Sequence, residues 1–281
     1  MSKRTEKSKP SPNSGGVAAT ADYWSRRLRQ VDPLAAVLTY DAPREINEAY
    51  DCWERGILRN NLPSAIKGKN ALDLGCGIGR IAVELAKAGA HVAAVDISRS
   101  MLAACRKRAL AAGVADRVEL IESPVRRLPD NLGKFDLITC FGLLEHLPPS
   151  ERRHCLSSAF ACLKKRGRML VVVNNTESLF VKRRKSGKAK RLPGYYFSLV
   201  GLRRLERLTR SLGMDMTLLA ANPFYAWLHY GICGGQAAAK LSRGELRRLA
   251  RLVCELDVRF PLHGPLPFHL ASHFMVELRR R

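Results

Sequence analysis

Residues 71–80 read ALDLGCGIGR and residues 91–98 read HVAAVDIS, which together spell a strand, a glycine turn, a helix and a second strand ending in an acid. Asn70 to Leu74 is short and mostly apolar, Gly75, Cys76, Gly77, Ile78 and Gly79 make a G-x-G-x-G turn, and Ile81 to Ala90 has helical composition. Glycine has no side chain to hold a ligand away, so the backbone can come close to a bound group at this turn. The strand Val92 to Val95 ends at Asp96, about 20 residues beyond the turn, where a carboxylate can accept hydrogen bonds from both hydroxyls of a ribose. The pattern predicts an adenosine-containing ligand.

The spacing of the glycines narrows this further. Nicotinamide and flavin folds favour G-x-G-x-x-G, whereas D-L-G-C-G-I-G-R at 73–80 sets an acid two residues before the first glycine. It resembles motif I of the class I S-adenosylmethionine-dependent methyltransferases. The resemblance implies S-adenosylmethionine as methyl donor, with Gly75, Gly77 and Gly79 in the binding turn, Asp96 on the ribose, and Ile97 and Met101 beside it. Three roles stand open for Asp73: ordering the glycine loop, contacting the donor's amino group, or closing the strand as a purely structural acid.

Strand and helix alternate at 70–74, 80–90, 92–96, 99–112, 118–121, 135–140, 150–164 and 168–173. This is the signature of a parallel, doubly wound α/β sheet, whose ligands lie beyond the carboxyl ends of its strands. Gly75, Asp96, Ser123 and Phe141 all fall at such ends. A helix at about 198–212, a strand near 214–220 and SHFMVELRR at 272–280 complete a seven-stranded Rossmann-like methyltransferase sheet. Residues 20–281 read as this one domain. Within it, 20–66 form an N-terminal cap of two or three amphipathic helices carrying Tyr23, Trp24, Leu28, Tyr50, Trp53, Ile57 and Leu58, a cap expected to cover the ligand. Residues 1–19, rich in Lys, Ser, Pro and Gly, read as a disordered basic tail. Two insertions interrupt the plan: 175–197 couples a basic run to LPGYYF, and 222–269 is a helical, lid-like insertion holding FYAWLHY and FPLHGPLPFHL. Material above the strand ends sets substrate choice; the plain alternative is a surface loop and a helical lid that only complete packing.

The formal net charge is +23, and residues 182–191, KRRKSGKAKR, hold seven cations without an acid. An anionic partner is expected: an acidic or lipid-like small molecule, an anionic membrane met peripherally, or nucleic acid. A solvated basic face is the plain alternative, and the oligomeric state is left open. Cysteines 52, 76, 105, 140, 155, 162, 233 and 254 form no C-x-x-C pair and read as reduced, small core residues. No apolar run approaches the ~18 residues that span a bilayer, so a cytoplasmic chain is expected.

After the third strand comes LIESPVRRLP, residues 120–129. Many relatives place an Asp here on the adenine amino group, followed by a small residue whose amide meets the ring. This chain offers Ser123 or Pro124 at the acid position, which leaves Ser123 as a weak acceptor and the Val125 amide for the ring. The fourth strand, FDLITCFGLLEHLPP at 135–149, carries the nearest likeness. Its C-x-x-L-L-E-H-L-P end resembles the ubiquinone-biosynthesis O-methyltransferases and their small-molecule relatives, over roughly residues 50–175. That resemblance implies that Phe141 packs on the donor. It also implies that Arg55, twenty positions before the first glycine, grips the donor's carboxylate, a bidentate contact that a planar guanidinium suits.

Glu145 and His146 stand where the family has an acid and a histidine near the acceptor, sometimes with a divalent cation. Gly142 replaces the family's additional Glu, which favours a metal-free acid/base pair, because hard cations need several oxygen ligands. His146 has the ordinary pKa to take a phenol or enol proton near neutrality; packing at a helix start is its alternative role. Asn222-Pro223-Phe224-Tyr225 is similar to the N-P-P-Y of amino-directed nucleic-acid methyltransferases, but it stands far from the fourth strand, where that motif belongs. No Pro-Cys follows the fourth strand, so a cytosine-C5 mechanism lacks its nucleophile. His263, His269 and His273 lack tight ligand spacing. The expected activity is methyl transfer from S-adenosylmethionine to oxygen, secondarily nitrogen, of a small-molecule or lipid-like acceptor. An RNA methyltransferase and a non-catalytic donor-binding module are the alternatives.

Overall fold

A computed structural model describes residues 16–39, 42–184, 195–234, 241–260 and 269–281, without the side chains of 182–184. Three helices, α1 (Val17–Gln30), α2 (Pro33–Val37) and α3 (Arg44–Asn60), precede the sheet. Then follow β1 (Asn70–Leu74), α4 (Arg80–Lys87), β2 (His91–Asp96), α5 (Arg99–Ala111), β3 (Val118–Glu122), β4 (Phe135–Phe141), α6 (Pro149–Cys162) and β5 (Leu163–Asn174). The chain closes with α7 (Leu179–Arg184), α8 (Leu202–Arg210), β6 (Met214–Ala221), α9 (Pro223–Ala226), α10 (Arg243–Arg259) and β7 (His273–Arg280).

The sheet has seven strands in the order β3-β2-β1-β4-β5-β7-β6. Its inner strands are buried on both faces, which is why they read as apolar runs. Successive residues still serve opposite layers, as the two-residue strand period requires. Ala71, Leu137, Leu170 and Met275 face Trp53 and Ile57 of α3 and Val253 of α10, whereas Leu72, Ile138, Val171 and Phe274 face Leu156 of α6 and Leu205 of α8. Trp53 is wholly enclosed; removing a side chain of that size from a core costs about 3–5 kcal/mol.

Three expectations change and one open alternative resolves. The chain is helical from Val17, so the tail ends before residue 19; residues 1–15 lie outside the described residues. The sheet is not wholly parallel, because β7 pairs antiparallel with both β5 and β6. The chain leaves β6 at the carboxyl edge and returns to that same edge, as the pairing of Ala221 with Phe274 records, so β7 must run back the other way. Cys52 and Cys254 form a disulfide with Cα atoms 6.2 Å apart, which corrects the reading of eight reduced cysteines. Packing of α10 along α3, with Gly56 against Val258, brings together two residues 202 apart in sequence. Finally, the described part of the 222–269 insertion takes the packing role of its two readings: α10 lies along this cap helix with α9 against it, and the segment 227–232 packs against α7. Among the described residues no helix is long and apolar enough to cross a membrane.

Candidate active site

A cavity opens over the carboxyl ends of β1, β2 and β4. Gly75 and Gly77 on its wall have φ of 65° and 51°, in the region open to glycine, and a Cβ on Gly75 would stand 2.8 Å from Leu143 Cδ1. The Gly77 amide donates to Asp96 Oδ2 and the Ser98 amide to Asp96 Oδ1, each at 2.9 Å. Burial pushes the Asp96 carboxyl up in pKa, and these amides oppose the shift. Each oxygen keeps a lone pair for a ligand. Ile97 and Met101 line the same wall. Gly79 does not. Its missing Cβ would meet Cys105 Sγ at 2.5 Å, so this glycine lets α4 start against α5 and is not part of the binding surface.

Asp73, at the end of β1, lines the cavity and accepts from Thr139 Oγ1 at 2.7 Å. Its Oδ2 is buried without a hydrogen-bond partner, and burial outweighs the Thr139 contact to push the carboxyl up to about 7. Arg55 is not on the cavity wall. It pairs with Asp51 at 2.8 Å and Glu84 at 3.4 Å on the outer side of α3, because the i,i+4 geometry of that helix turns residue 55 toward α4. Two arginines stand on the cavity wall: Arg80, bound to Asp51 at 2.9 Å and Glu54 at 2.7 Å, and Arg126, paired with Glu151 at 3.3 Å.

Beyond β3, Pro124, Val125 and Arg126 line the cavity, but Ser123 is buried off its wall, its hydroxyl donating to the Arg127 carbonyl at 3.0 Å, so it is not a ligand-facing acceptor. Phe141 and His146 stand on the wall after β4. Rings surround the His146 imidazole: Trp24 with centroids 4.9 Å away, Tyr195 at 5.5 Å and Phe197 at 5.6 Å. Burial lowers its pKa to about 4, the charges of Arg27 and Arg152 adding to the effect, so the ring is neutral at pH 7. Glu145 does not reach the cavity. It lies behind the wall, accepts from Asn174 Nδ2 at 3.1 Å, and is pushed by burial up to about 7. The expected acid/base pair is therefore split into a cavity-facing histidine and a buried acid.

Several wall residues come from outside the motifs: Val17, Thr20 and Trp24 of α1, and Tyr195 and Tyr196 of the 175–197 insertion. A helical stripe of apolar residues signals burial without naming what it is buried against. No described residue of 222–269 lines the cavity; of the two segments expected to cover the ligand, the N-terminal helices do so through α1, joined by 195–196. Among the described residues no group of three or more His, Cys, Asp or Glu is placed to hold a metal ion. Of the basic run, Lys182, Arg183 and Arg184 end α7, and Lys185 to Arg191 lie outside the described residues.

Residues 71–167 match the methyltransferase domain family. The chain is 34% identical over 116 residues to a ubiquinone biosynthesis O-methyltransferase of Marinobacter nauticus, covering 40% of this chain and 46% of that protein. It is 32% identical over 136 residues to a ubiquinone/menaquinone biosynthesis C-methyltransferase of Brucella anthropi, covering 47% and 51%. The chain thus spans about half the length of the curated relatives it matches. In fold it is similar to the magnesium protoporphyrin IX methyltransferase of Synechocystis solved with bound SAH, at TM-score 0.55 and 16% identity, covering 92% of this chain and 94% of that one. The class I methyltransferase fold expected from the strand and glycine pattern is the fold observed.

Proposed function

We propose that this chain, whose residues 71–167 belong to the methyltransferase domain family, moves a methyl group from S-adenosylmethionine to an oxygen, secondarily a nitrogen, of a small-molecule or lipid-like acceptor. The observation that carries this reading is that one cavity joins the Asp96-braced glycine turn to a neutral His146. The residues suit such a donor. The Gly75 cradle would be filled by a single Cβ, and the unpartnered Asp73 Oδ2 is a buried acceptor matched to an ammonium group. Bound there, the donor supplies an electrophilic methyl on a sulfonium.

The chain's own work is positioning and proton transfer. Asp96 would hold the ribose hydroxyls, Asp73 the amino group, and Val125 and Phe141 the adenine side. A hydroxyl acceptor must lose its proton as the new bond to carbon forms, and the neutral His146 ring takes it. Glu145 acts from behind: its carbonyl accepts the Ser198 amide at 2.8 Å and so anchors the segment that carries Tyr195 and Phe197. The rings of Trp24, Tyr195 and Phe197 favour a flat, apolar acceptor such as a phenol or enol.

Labelled donor supplied to matched cells with and without the protein tests this by mass spectrometry of metabolites, lipids and RNA. A one-methyl mass gain on a small or lipid-like hydroxyl compound is the expected result. Label in RNA alone would reassign the acceptor to nucleic acid. Donor binding without any turnover would make the chain a non-catalytic module.

A further inference from the structure

We propose that Arg80 takes the carboxylate of the donor's methionine arm, and that Asp51 and Glu54 of α3 are positioning residues that hold its guanidinium for that contact. The inference rests on the donor assignment above.

Arg80 is the first residue of α4, directly after the glycine turn, and is only 7% exposed. It shares the cavity wall with Asp73, Gly75 and Gly77. Its Nη1 reaches Asp51 Oδ1 at 2.9 Å and its Nη2 reaches Glu54 Oε2 at 2.7 Å, both from α3. A guanidinium has five N–H donors in a fixed fork, so two acids on one side leave donors for a carboxylate on the other.

The surrounding charges hold Arg80 firmly as a cation, because Glu54 and Asp51 outweigh the cost of its burial and raise its pKa. Asp51 is shared, because its second oxygen pairs with Arg55 at 2.8 Å. Arg55 in turn meets Glu84, which also binds Arg59 at 2.8 Å. Two guanidiniums therefore divide one Asp51 charge. Glu54 is wholly buried; burial raises its pKa and the ion pair with Arg80 opposes that rise. A fixed cation with N–H donors left over suits a ligand carboxylate entering the cavity. On this view Arg55 acts at one remove: it stands at the family spacing and neutralises part of the acid that orients Arg80.

Calorimetry with two ligands, S-adenosylmethionine and its decarboxylated analogue, separates a carboxylate contact from a helix-to-helix tie. The analogue keeps the sulfonium and the amine and lacks only the carboxylate. Arg80→Gln should weaken S-adenosylmethionine by about tenfold or more and leave the analogue's affinity unchanged. Glu54→Gln and Asp51→Asn should show the same selectivity with smaller loss. Arg80→Lys, which keeps the charge without the fork, serves if the Gln variant does not fold, and it too should lose affinity only for the carboxylate-bearing ligand. Equal loss for both ligands, or no loss for either, in a folded variant would overturn the assignment. A wild-type protein that binds neither ligand would instead overturn the donor assignment, and this inference with it.

Discussion

Trp24 meets the His146 imidazole edge to face, with ring centroids 4.9 Å apart and planes at 83°. Its neighbours extend the grip: Tyr23 stacks on Tyr195 at 4.6 Å, and the Ser25 hydroxyl meets that of Ser98 at 3.0 Å. Three consecutive side chains of α1 thus hold three separate parts of the cavity rim. Aromatic pairs contribute about 0.5–1.5 kcal/mol beyond their buried area. Trp24→Ala should accordingly raise the acceptor's KM, by up to about tenfold, with a smaller effect on kcat. Steady-state kinetics that leave KM at the wild-type value would remove α1 from the acceptor subsite.

Asp96 should dominate the donor's ribose. Its two oxygens already brace the turn through Gly77 and Ser98, and hydrogen bonds to a charged group contribute about 1.5–3 kcal/mol each. Asp96→Asn keeps the shape and loses the charge, so donor affinity measured by calorimetry should fall by at least about tenfold. A folded variant with unchanged affinity would sink the ribose assignment.

His146 has a conjugate acid near pKa 4. The acid limb of log kcat/KM attributable to this group should therefore lie near pH 4, well below the ordinary 6.5, and the profile should be flat from about pH 6 upward on its account. So weak a base places its contribution toward the lower end of the roughly 10²–10⁴-fold range for general-base catalysis. His146→Ala should cost turnover by about that factor, abolish the limb and spare donor binding. Turnover at the wild-type rate would make the ring a packing element.

Glu145 carries a stability signature with a definite sign. Its folded pKa, about 7, is raised above the ordinary 4.5, so between these values the folded chain binds more protons than the unfolded one. Stability on its account is full below about pH 4.5 and is lost as pH rises toward 7. Glu145→Gln removes that loss. The Tm difference, variant minus wild type, should become more positive between pH 5 and pH 7.5, by a few degrees. Thermal unfolding curves that run parallel across this range would show Glu145 to be ionised throughout.

The strands and the turn were legible because their causes are local. Apolar runs flanked by polar ends gave the central strands, and glycines in a left-handed turn admit few substitutes. Asp73, Gly75, Gly77, Asp96, Ile97, Met101, Val125, Phe141 and His146 accordingly stand on the cavity wall. Long-range packing decided the rest. Counting twenty positions back from Gly75 reaches Arg55, but only the rotation of α3 tells which of its residues face the ligand, and it presents acids to Arg80 instead. Gly79 looks like its two neighbours in the motif and serves the approach of α5. The pairing of Cys52 with Cys254 depends on α10 lying along α3, which no spacing of cysteines reveals.

The basic run is the remaining unassigned feature, and its surroundings bear on what it meets. Its first three residues, 182–184, end α7, the helix that follows β5, and Leu179 at the start of that helix is 55% exposed. Against α7 packs the π-helical segment 227–232, whose Trp227 is 45% exposed. Exposed apolar side chains beside a run of cations are the composition of a peripheral membrane contact, in which each Lys or Arg near an anionic surface contributes about 1 kcal/mol. Replacing Lys182, Arg183, Arg184, Lys185, Lys188, Lys190 and Arg191 with Gln or Ser should abolish sedimentation with anionic vesicles. It should also raise the KM of a lipid-like acceptor while donor affinity stays the same. Vesicle binding and acceptor kinetics both at wild-type values would reduce the run to a solvated loop. Loss of RNA binding alone, with vesicle binding intact, would move the acceptor class to nucleic acid, where the same charges would appear as a steep dependence of affinity on salt.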